Sequence, residues 1–530
     1  MRSARVLAFV LVPVWILILN LYHAGVFPPP KVDLSEKAEA RWYPRADAGI
    51  NNLVLIGAPF ARGRAAGEVT GPLLREQEQT LVSRLDELIP APALTVRAIV
   101  LAAIGVFHDA DKYFSDEVVQ EMYGTSLSAP KEFDYLADGF TRQVAYHGLH
   151  EVGQMMVDQG FDDTGCTVAA VKMQNTFVVG RNFDFEAGRV FDREKIIKWV
   201  FPDKGYAFVS VTWAGMVGAV TGVNEKGVYI SLNAGGSSDH RRIGVPSTLV
   251  ILDVLEHAAN AGEALEIIRS SQMFITDILV VLDAQGSLYR VEKSPLRMNA
   301  TPVKSSIVIA NHLNSPDFAG DETNLFRKQE LTTVAREARG LQILASLPAA
   351  ADPSTAVHQV LTVLRDKGDD HGHSRPLGDR QAIDALIAMH SVIYDPLRQL
   401  FFVGTGPSVS GRFLGYDLKQ SFHTRTPVRA GELPADPLVS PQIYDAVKTS
   451  LARFSRVRKL ALDDKCDAAR AELAQVTEAY RNQAGYFHSA GDVEACAGNP
   501  DLARAHWVKA LALHPAYARE VRQLTSRIAK

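Results

Sequence analysis

DTGCTVAAVKMQNTFVVGRNFDF, residues 163–185, puts Cys166 directly after Gly165 at the head of one apolar run and an Arg-Asn-Phe-Asp cluster at the end of the next. The two runs are rich in β-branched and apolar residues and meet at Gln174-Asn175, so they read as a hairpin. A returning strand brings Arg181, Asn182 and Asp184 back beside Cys166. A lone cysteine in a strand is commonly a small core hydrophobe. Its neighbours open a second reading, in which the thiol is a nucleophile.

Gly165 leaves the preceding peptide bond sterically open. Attack by the thiol on that carbonyl, an N-to-S acyl shift and hydrolysis would release a chain beginning at Cys166. Its new α-amine, which titrates near 8, would then serve as base for the thiol, and no histidine is required. Arg181 is placed to lower the thiol pKa and Asp184 to orient the α-ammonium. The same Arg-Asp pair also reads as a surface ion pair worth under about 1 kcal/mol.

Outward from the hairpin, β-rich runs continue through AFVSVTWAG, GVNEKGVYISLN, DILVVLDAQGSLYRVEKS, SSIVIANH and the hairpin MHSVIYDPLRQLFFVGTG, with helical segments between them. Strand groups separated by helix groups predict layered sheets covered by helices, an α+β class. Before Cys166, NNLVLIGAPF (51–60) reads as a short strand, followed by segments of helical periodicity; residues 31–50 read as a polar linker. After about residue 440 the pattern is helical to the end. There Phe487, Gly491, Gly498, Ala503, Trp507, Ala510 and Pro515 fit one tetratricopeptide-like unit, which offers a surface to the enzyme body or a protein partner.

The chain has 530 residues, 47% of them hydrophobic and 22% charged, with a formal net charge of -4. Two to four folded domains fit that length, and nucleic acid is not an expected partner. There is no GxGxxG or GxxxxGK[ST], and no cofactor is expected. The cluster Asp369, Asp370, His371 and His373 is spaced too tightly on a loop for a metal site to be expected. At the N-terminus, MRSAR is followed by Val6 to Pro30 with no acidic residue, Lys or Arg. About 20 such residues cross a bilayer, and the arginines set the orientation, so residues 6–27 are expected to anchor an extracytoplasmic body. A cleaved signal peptide is the alternative. Of three cysteines, Cys466 and Cys496 share a helical region, where pairing and two separate thiols both remain open.

The G-C-T start, the hairpin to GRNFDF, GVNEKGVYISLN, LDAQGSLYRVEKSP, IANH and SVIYDPLRQLFFVGTGP, in that order, resemble the cysteine N-terminal nucleophile (Ntn) hydrolases. The nearest branch is the acyl-coenzyme A:6-aminopenicillanate acyltransferase type, peptidase C45, with choloylglycine hydrolase and acid ceramidase more distant. GAPFARGRAAG also resembles the opening of such precursors. The resemblance implies an αββα sandwich, autocleavage between Gly165 and Cys166, and hydrolysis or transfer of an acyl group from an amide through a thioester. It implies site roles for Cys166, Arg181, Asp184 and Asn311, with Asn224 and Asn233 as weaker candidates around the oxyanion or substrate. A further arginine is implied near the last hairpin, where Arg375 and Arg380 compete.

The expected organisation is therefore an anchor (1–30), a helical N-terminal chain (31–165), the catalytic core (166–430) and the helical tail (440–530). A small-molecule or lipid acyl amide is the expected substrate. A phospholipase B-like lipid ester or amide hydrolase, and a membrane-tethered interaction protein without activity, are the other readings left open.

Overall fold

The computed structural model describes residues 27–88, 95, 100, 109–148, 150–151, 153–154 and 165–529. In chain order the strands are β1 (Ala38–Tyr43), β2 (Asn51–Gly57), β3 (Thr167–Met173), β4 (Thr176–Asp184), β5 (Ile196–Pro202), β6 (Phe208–Thr212), β7 (Thr221–Asn224) and β8 (Tyr229–Ala234). They continue with β9 (Asp277–Leu282), β10 (Leu288–Lys293), β11 (Met298–Pro302), β12 (Ile307–Ile309), β13 (Ala388–Asp395), β14 (Leu400–Gly404), β15 (Phe413–Asp417) and β16 (Arg429–Leu433). One sheet runs β1-β2-β5-β6-β7-β8-β9-β10-β11 and the other β12-β3-β4-β13-β14-β15-β16.

The period-2 alternation of β3 and β4 explains why two sheets stack. Val168, Ala170, Phe177 and Val179 face the core between the sheets, where they meet Val209, Val223, Ile278 and Val280 of the larger sheet. Ala169, Val171 and Val178 point the other way, onto Val357, Val360 and Leu364 of the helix Pro353–Leu364. On the far side of the larger sheet, Ile230, Leu232 and Leu279 pack against the helices Ser247–His257 and Ala261–Ser270. The result is helix, sheet, sheet, helix, a four-layered mixed α/β sandwich.

Residues 31–50 are more than a linker, because β1 lies within them and pairs antiparallel with β2. The N-terminal segment is likewise more than helical: β2 pairs parallel with β5 and is an interior strand of the larger sheet. The expected anchor, residues 6–27, lies outside the described residues apart from Phe27. Among the described residues no helix is long and apolar enough to cross a membrane.

At the C-terminus, helices Ala484–Cys496 and Pro500–Ala512 form an antiparallel pair followed by Ala518–Ile528. Gly491 lets the pair approach, since a Cβ there would run into Trp507, whose Nε1 donates to Asp492 at 3.0 Å. Cys466 and Cys496 form a disulfide. Leu386, Val439, Tyr444 and Val447 share a small apolar cluster that docks the helix Pro441–Leu462 onto the core.

Candidate active site

Cys166 stands one residue before β3 and shares the parity of Val168 and Ala170, so its side chain belongs to the space between the sheets; it is 2% exposed. The β3–β4 register pairs Thr167 with Asn182, and the Gly165 N–H donates to the Asp184 carbonyl at 3.1 Å. The hairpin ladder therefore continues past the Gly165–Cys166 bond and holds it in place. Burial pushes the Cys166 thiol up from its ordinary pKa and the Asp184 charge adds to this, while Arg181, the Asp184 backbone N–H and Arg336 work against it.

Arg181 is wholly buried beneath the site. One guanidinium nitrogen donates to the Val220 carbonyl at 2.9 Å and to Thr221 Oγ1 at 2.8 Å. Among the described residues its Nε and Nη2 have no hydrogen-bond partner, which leaves two buried donors for a ligand. Thr221 also contacts His390 Nε2 at 3.1 Å, and the His390 ring stacks on Phe183. Burial, then Arg181 and Lys195, hold His390 neutral, with its pKa far below the usual value.

Asp184 is 3% exposed, and its pKa is pushed up to about 7. Burial is the main cause and the Asp384 charge adds to it, against the pull of Arg336, Arg380 and Arg181.

Asn311 follows β12. Its N–H donates to Thr333 Oγ1 at 2.6 Å and its Nδ2 to the Ala234 carbonyl at 2.9 Å. Asn233, at the end of β8, donates to the Ile309 and Ala310 carbonyls at 3.2 and 3.0 Å and so holds the approach to Asn311. Asn224 is elsewhere. Its Nδ2 binds the Leu255 and Ala258 carbonyls and its Oδ1 takes the Lys226 and Val228 N–H groups, a closed turn with no capacity left for a substrate.

The two arginines that competed in sequence for the remaining role each pair with a carboxylate other than Asp184. Arg375 pairs with Asp379 at 2.7 Å and caps the Leu513 and His514 carbonyls, tying the core to the C-terminal helices. Arg380 pairs with Glu186 at 2.5 Å, two residues beyond Asp184. The guanidinium at the site is that of Arg336, on the helix Thr333–Ser346. Its Nη1 donates to the Cys166 carbonyl and to Thr167 Oγ1, and its Nη2 to Asn311 Oδ1, each at 2.8 Å. One planar fork thus joins Cys166 and Thr167 to the asparagine. Sequence reasoning missed it because TVAREARG looks like any polar helix surface.

A second missed group lies behind Ala234. Asp277, the β9 partner of Ala234, accepts from His150 Nε2 at 3.2 Å and also binds Gln154 and Ser247. Glu151 accepts from the Ser247 N–H at 2.8 Å. Residues ahead of Cys166 therefore contribute to the floor beside Asn311.

Residues 171–369 match the family described as "Acyl-coenzyme A:6-aminopenicillanic acid acyl-transferase". That match lies within the two-sheet sandwich and is in line with the resemblance to the Ntn hydrolases read from the sequence. The matched segment begins five residues after Cys166 and ends before the C-terminal helices, so the tetratricopeptide-like reading rests on sequence pattern alone. A curated relative, an uncharacterized protein of Archaeoglobus fulgidus, is 25% identical over 245 residues, covering 44% of this chain and 41% of the relative. The chain thus spans about two fifths of that protein's length.

Among solved structures, a Caenorhabditis elegans ortholog of N-acylethanolamine-hydrolyzing acid amidase superposes with a TM-score of 0.31 and 18% identity, over 44% of this chain and 92% of that one. A mutant of conjugated bile acid hydrolase from Clostridium perfringens gives 0.33 and 12%, over 52% and 99%. Superpositions this loose carry no argument about chemistry.

Proposed function

We propose that the chain is a self-processing cysteine Ntn amidohydrolase or acyltransferase that takes the acyl group of an N-acyl amide onto Cys166. The observation that carries this reading is a buried Cys166 whose carbonyl is tied through Arg336 to Asn311, with the Asp184 N–H and the Arg181 charge acting on its thiol.

In the intact chain the thiol attacks the Gly165 carbonyl. The C–N bond breaks as the nitrogen takes a proton, and water hydrolyses the resulting thioester, leaving a Gly165 carboxylate and a Cys166 α-amine. That amine then accepts the thiol proton, and the thiolate attacks the substrate carbonyl. Charge develops on the carbonyl oxygen, where Asn311 Nδ2, which has a second hydrogen besides the one on Ala234, is placed to donate; such a donor supplies about 3 kcal/mol. The α-ammonium passes its proton to the departing amine, and water or an acceptor amine takes the acyl group from sulfur. Asp184 orients the α-ammonium, whose charge would bring the carboxyl back down from its raised value.

The body is proposed to act outside the cytoplasm, anchored by residues 6–27. The Cys466–Cys496 disulfide supports this placement, because such bonds persist in oxidising compartments.

N-terminal sequencing of the purified protein tests the proposal: a chain beginning at Cys166 is expected. A full-length chain that turns over amides without exposing that amine would overturn the mechanism.

A further inference from the structure

Leu386 stands in the turn that leads into β13, and its backbone has φ +55°, in the left-handed region that a residue with a Cβ seldom adopts. A leucine has no polar side chain to stabilise that conformation locally, as Asn or Asp would, so the surroundings must impose it. On the core side, the Leu386 N–H donates to Asp384 Oδ1 at 3.2 Å, and the Asp384 N–H donates to the Asp366 carbonyl at 2.9 Å. Lys367 Nζ lies 2.9 Å from Asp384 and 2.5 Å from Asp436, which stands ahead of the helix Pro441–Leu462. On the other side, the Leu386 side chain is wholly buried against Val439, Tyr444 and Val447. Tyr444, Val447 and, packed against the same cluster, Leu451 recur at helical spacing, so one face of that helix seats the leucine.

Beside this contact the core and the helix stand apart, and a cavity of about 1310 Å³ is lined by Ile387 and Ala388 of the core and by Tyr444 and Leu451 of the helix. Leu386, next in the chain to Ile387, is an apolar bridge between them. The bridge leads to the reacting groups. The Ile387 carbonyl accepts from the Phe185 N–H at 3.3 Å, and Ala388 pairs with Asp184. The Asp184 carbonyl in turn accepts from the Gly165 N–H at 3.1 Å, beside the bond that precedes Cys166. The register of β13 on β4 shifts between Ala388 and His390, so the regular ladder does not by itself fix the Asp184 end of β4.

We propose that Leu386 is a positioning residue, through which the helix Pro441–Leu462 clamps the turn 384–388 and so holds the Asp184 end of β4 against Gly165 and Cys166. Its bearing on catalysis rests on the reading of Cys166 as the nucleophile, whereas the clamp itself does not. The C-terminal helices, which lie beyond residues 171–369, thereby become part of the working site.

Amide hydrogen exchange, read by mass spectrometry on full-length Cys166→Ala protein, tests the clamp. Leu386→Ala on the turn and Val447→Ala on the helix should each speed exchange at Phe185 and Gly165 about tenfold, with the middle of the β3–β4 hairpin unchanged. Leu386→Met, which keeps an apolar side chain of similar volume, should restore the parent rate. Leu473→Ala, in a different apolar cluster of the C-terminal helices, is the control for a general loss of stability. Protein with its thiol intact gives the catalytic readout. Leu386→Ala, checked for folding by thermal melting, should slow the loss of full-length chain about tenfold. It should also move the pH midpoint of that loss below the parent's. Burial, with the Asp384 charge, lifts the Asp184 pKa to about 7 against Arg336, Arg380 and Arg181, and an opened turn would admit water and let it fall. Parent-rate exchange at Phe185 and Gly165 in both alanine variants, or an equal acceleration in Leu473→Ala, overturns the clamp. Faster exchange with an unchanged cleavage rate and midpoint overturns the positioning role. The nucleophile reading is judged separately: if the unsubstituted protein never cuts, that reading falls, and exchange alone still decides the clamp.

Discussion

Replacing Arg336 by methionine would leave the Cys166 carbonyl, Thr167 Oγ1 and Asn311 Oδ1 without their shared donor inside a buried site. We expect a stability loss of about 3 kcal/mol and a fall in autocleavage on the order of 100-fold, read by urea denaturation and by the rate at which full-length chain disappears on a gel. Arg336→Lys should recover charge but little of the rate, because an ammonium cannot span three acceptors in one plane. Asp184 gives a signed pH effect. Its folded pKa, about 7, lies above the ordinary 3.8, so its contribution to stability is present below about pH 4 and is lost as pH rises through 7. In the Cys166→Ala background, Asp184→Asn should therefore match its parent near pH 4 and exceed it by about 2–4 kcal/mol at pH 8 in urea titrations. A variant weakened at pH 8 would mean that the three arginines outweigh burial. Cys166, Arg181 and Asp184 could be picked from the sequence because a hairpin register places them together. Arg336 could not, since its contact with Cys166 spans 170 positions and no local pattern encodes it.

The β3–β4 hairpin was legible because two-residue turns leave few registers and Gln174 takes the positive φ that such a turn needs. β1 was not. Its residues AEARWY are half-exposed at a sheet edge, where charge is favoured, and so they look like linker. Asn224 shows how a motif residue can mislead: GVNEKG has a polar side chain in a strand-rich run, yet all its hydrogen bonds close a turn. Asn224→Ala should lower stability by about 2–4 kcal/mol in thermal or urea unfolding while leaving kcat of the folded fraction unchanged. A specific drop in kcat would return it to the site. Gly180 in β4 tests packing at the same scale. A Cβ there would stand 2.6 Å from Val360 and 2.8 Å from the Val392 carbonyl, so Gly180→Ala should cost about 1–3 kcal/mol, measured by the same unfolding curves.

Across the molecule, the Cys466–Cys496 bond closes a 30-residue separation, worth about 3–4 kcal/mol by chain entropy. Reduction should accelerate hydrogen exchange in residues 466–496 while leaving the sheets protected. Pairing of these cysteines stayed open in sequence because only the docking of two helices brings them together. The four-layer architecture was legible from strand and helix groups; the share of the larger sheet supplied from ahead of Cys166 was not, because parallel β2–β5 pairing joins segments about 145 positions apart. That pairing has an outcome for the severed protein. Opening the bond after Gly165 would divide one polypeptide into two that stay threaded through a common hydrogen-bonded lattice, and the upstream piece would then persist as a subunit and not leave as a leader. The nicked form should elute as one species under native conditions and separate only in denaturant, and material stripped of its upstream half should fail to refold.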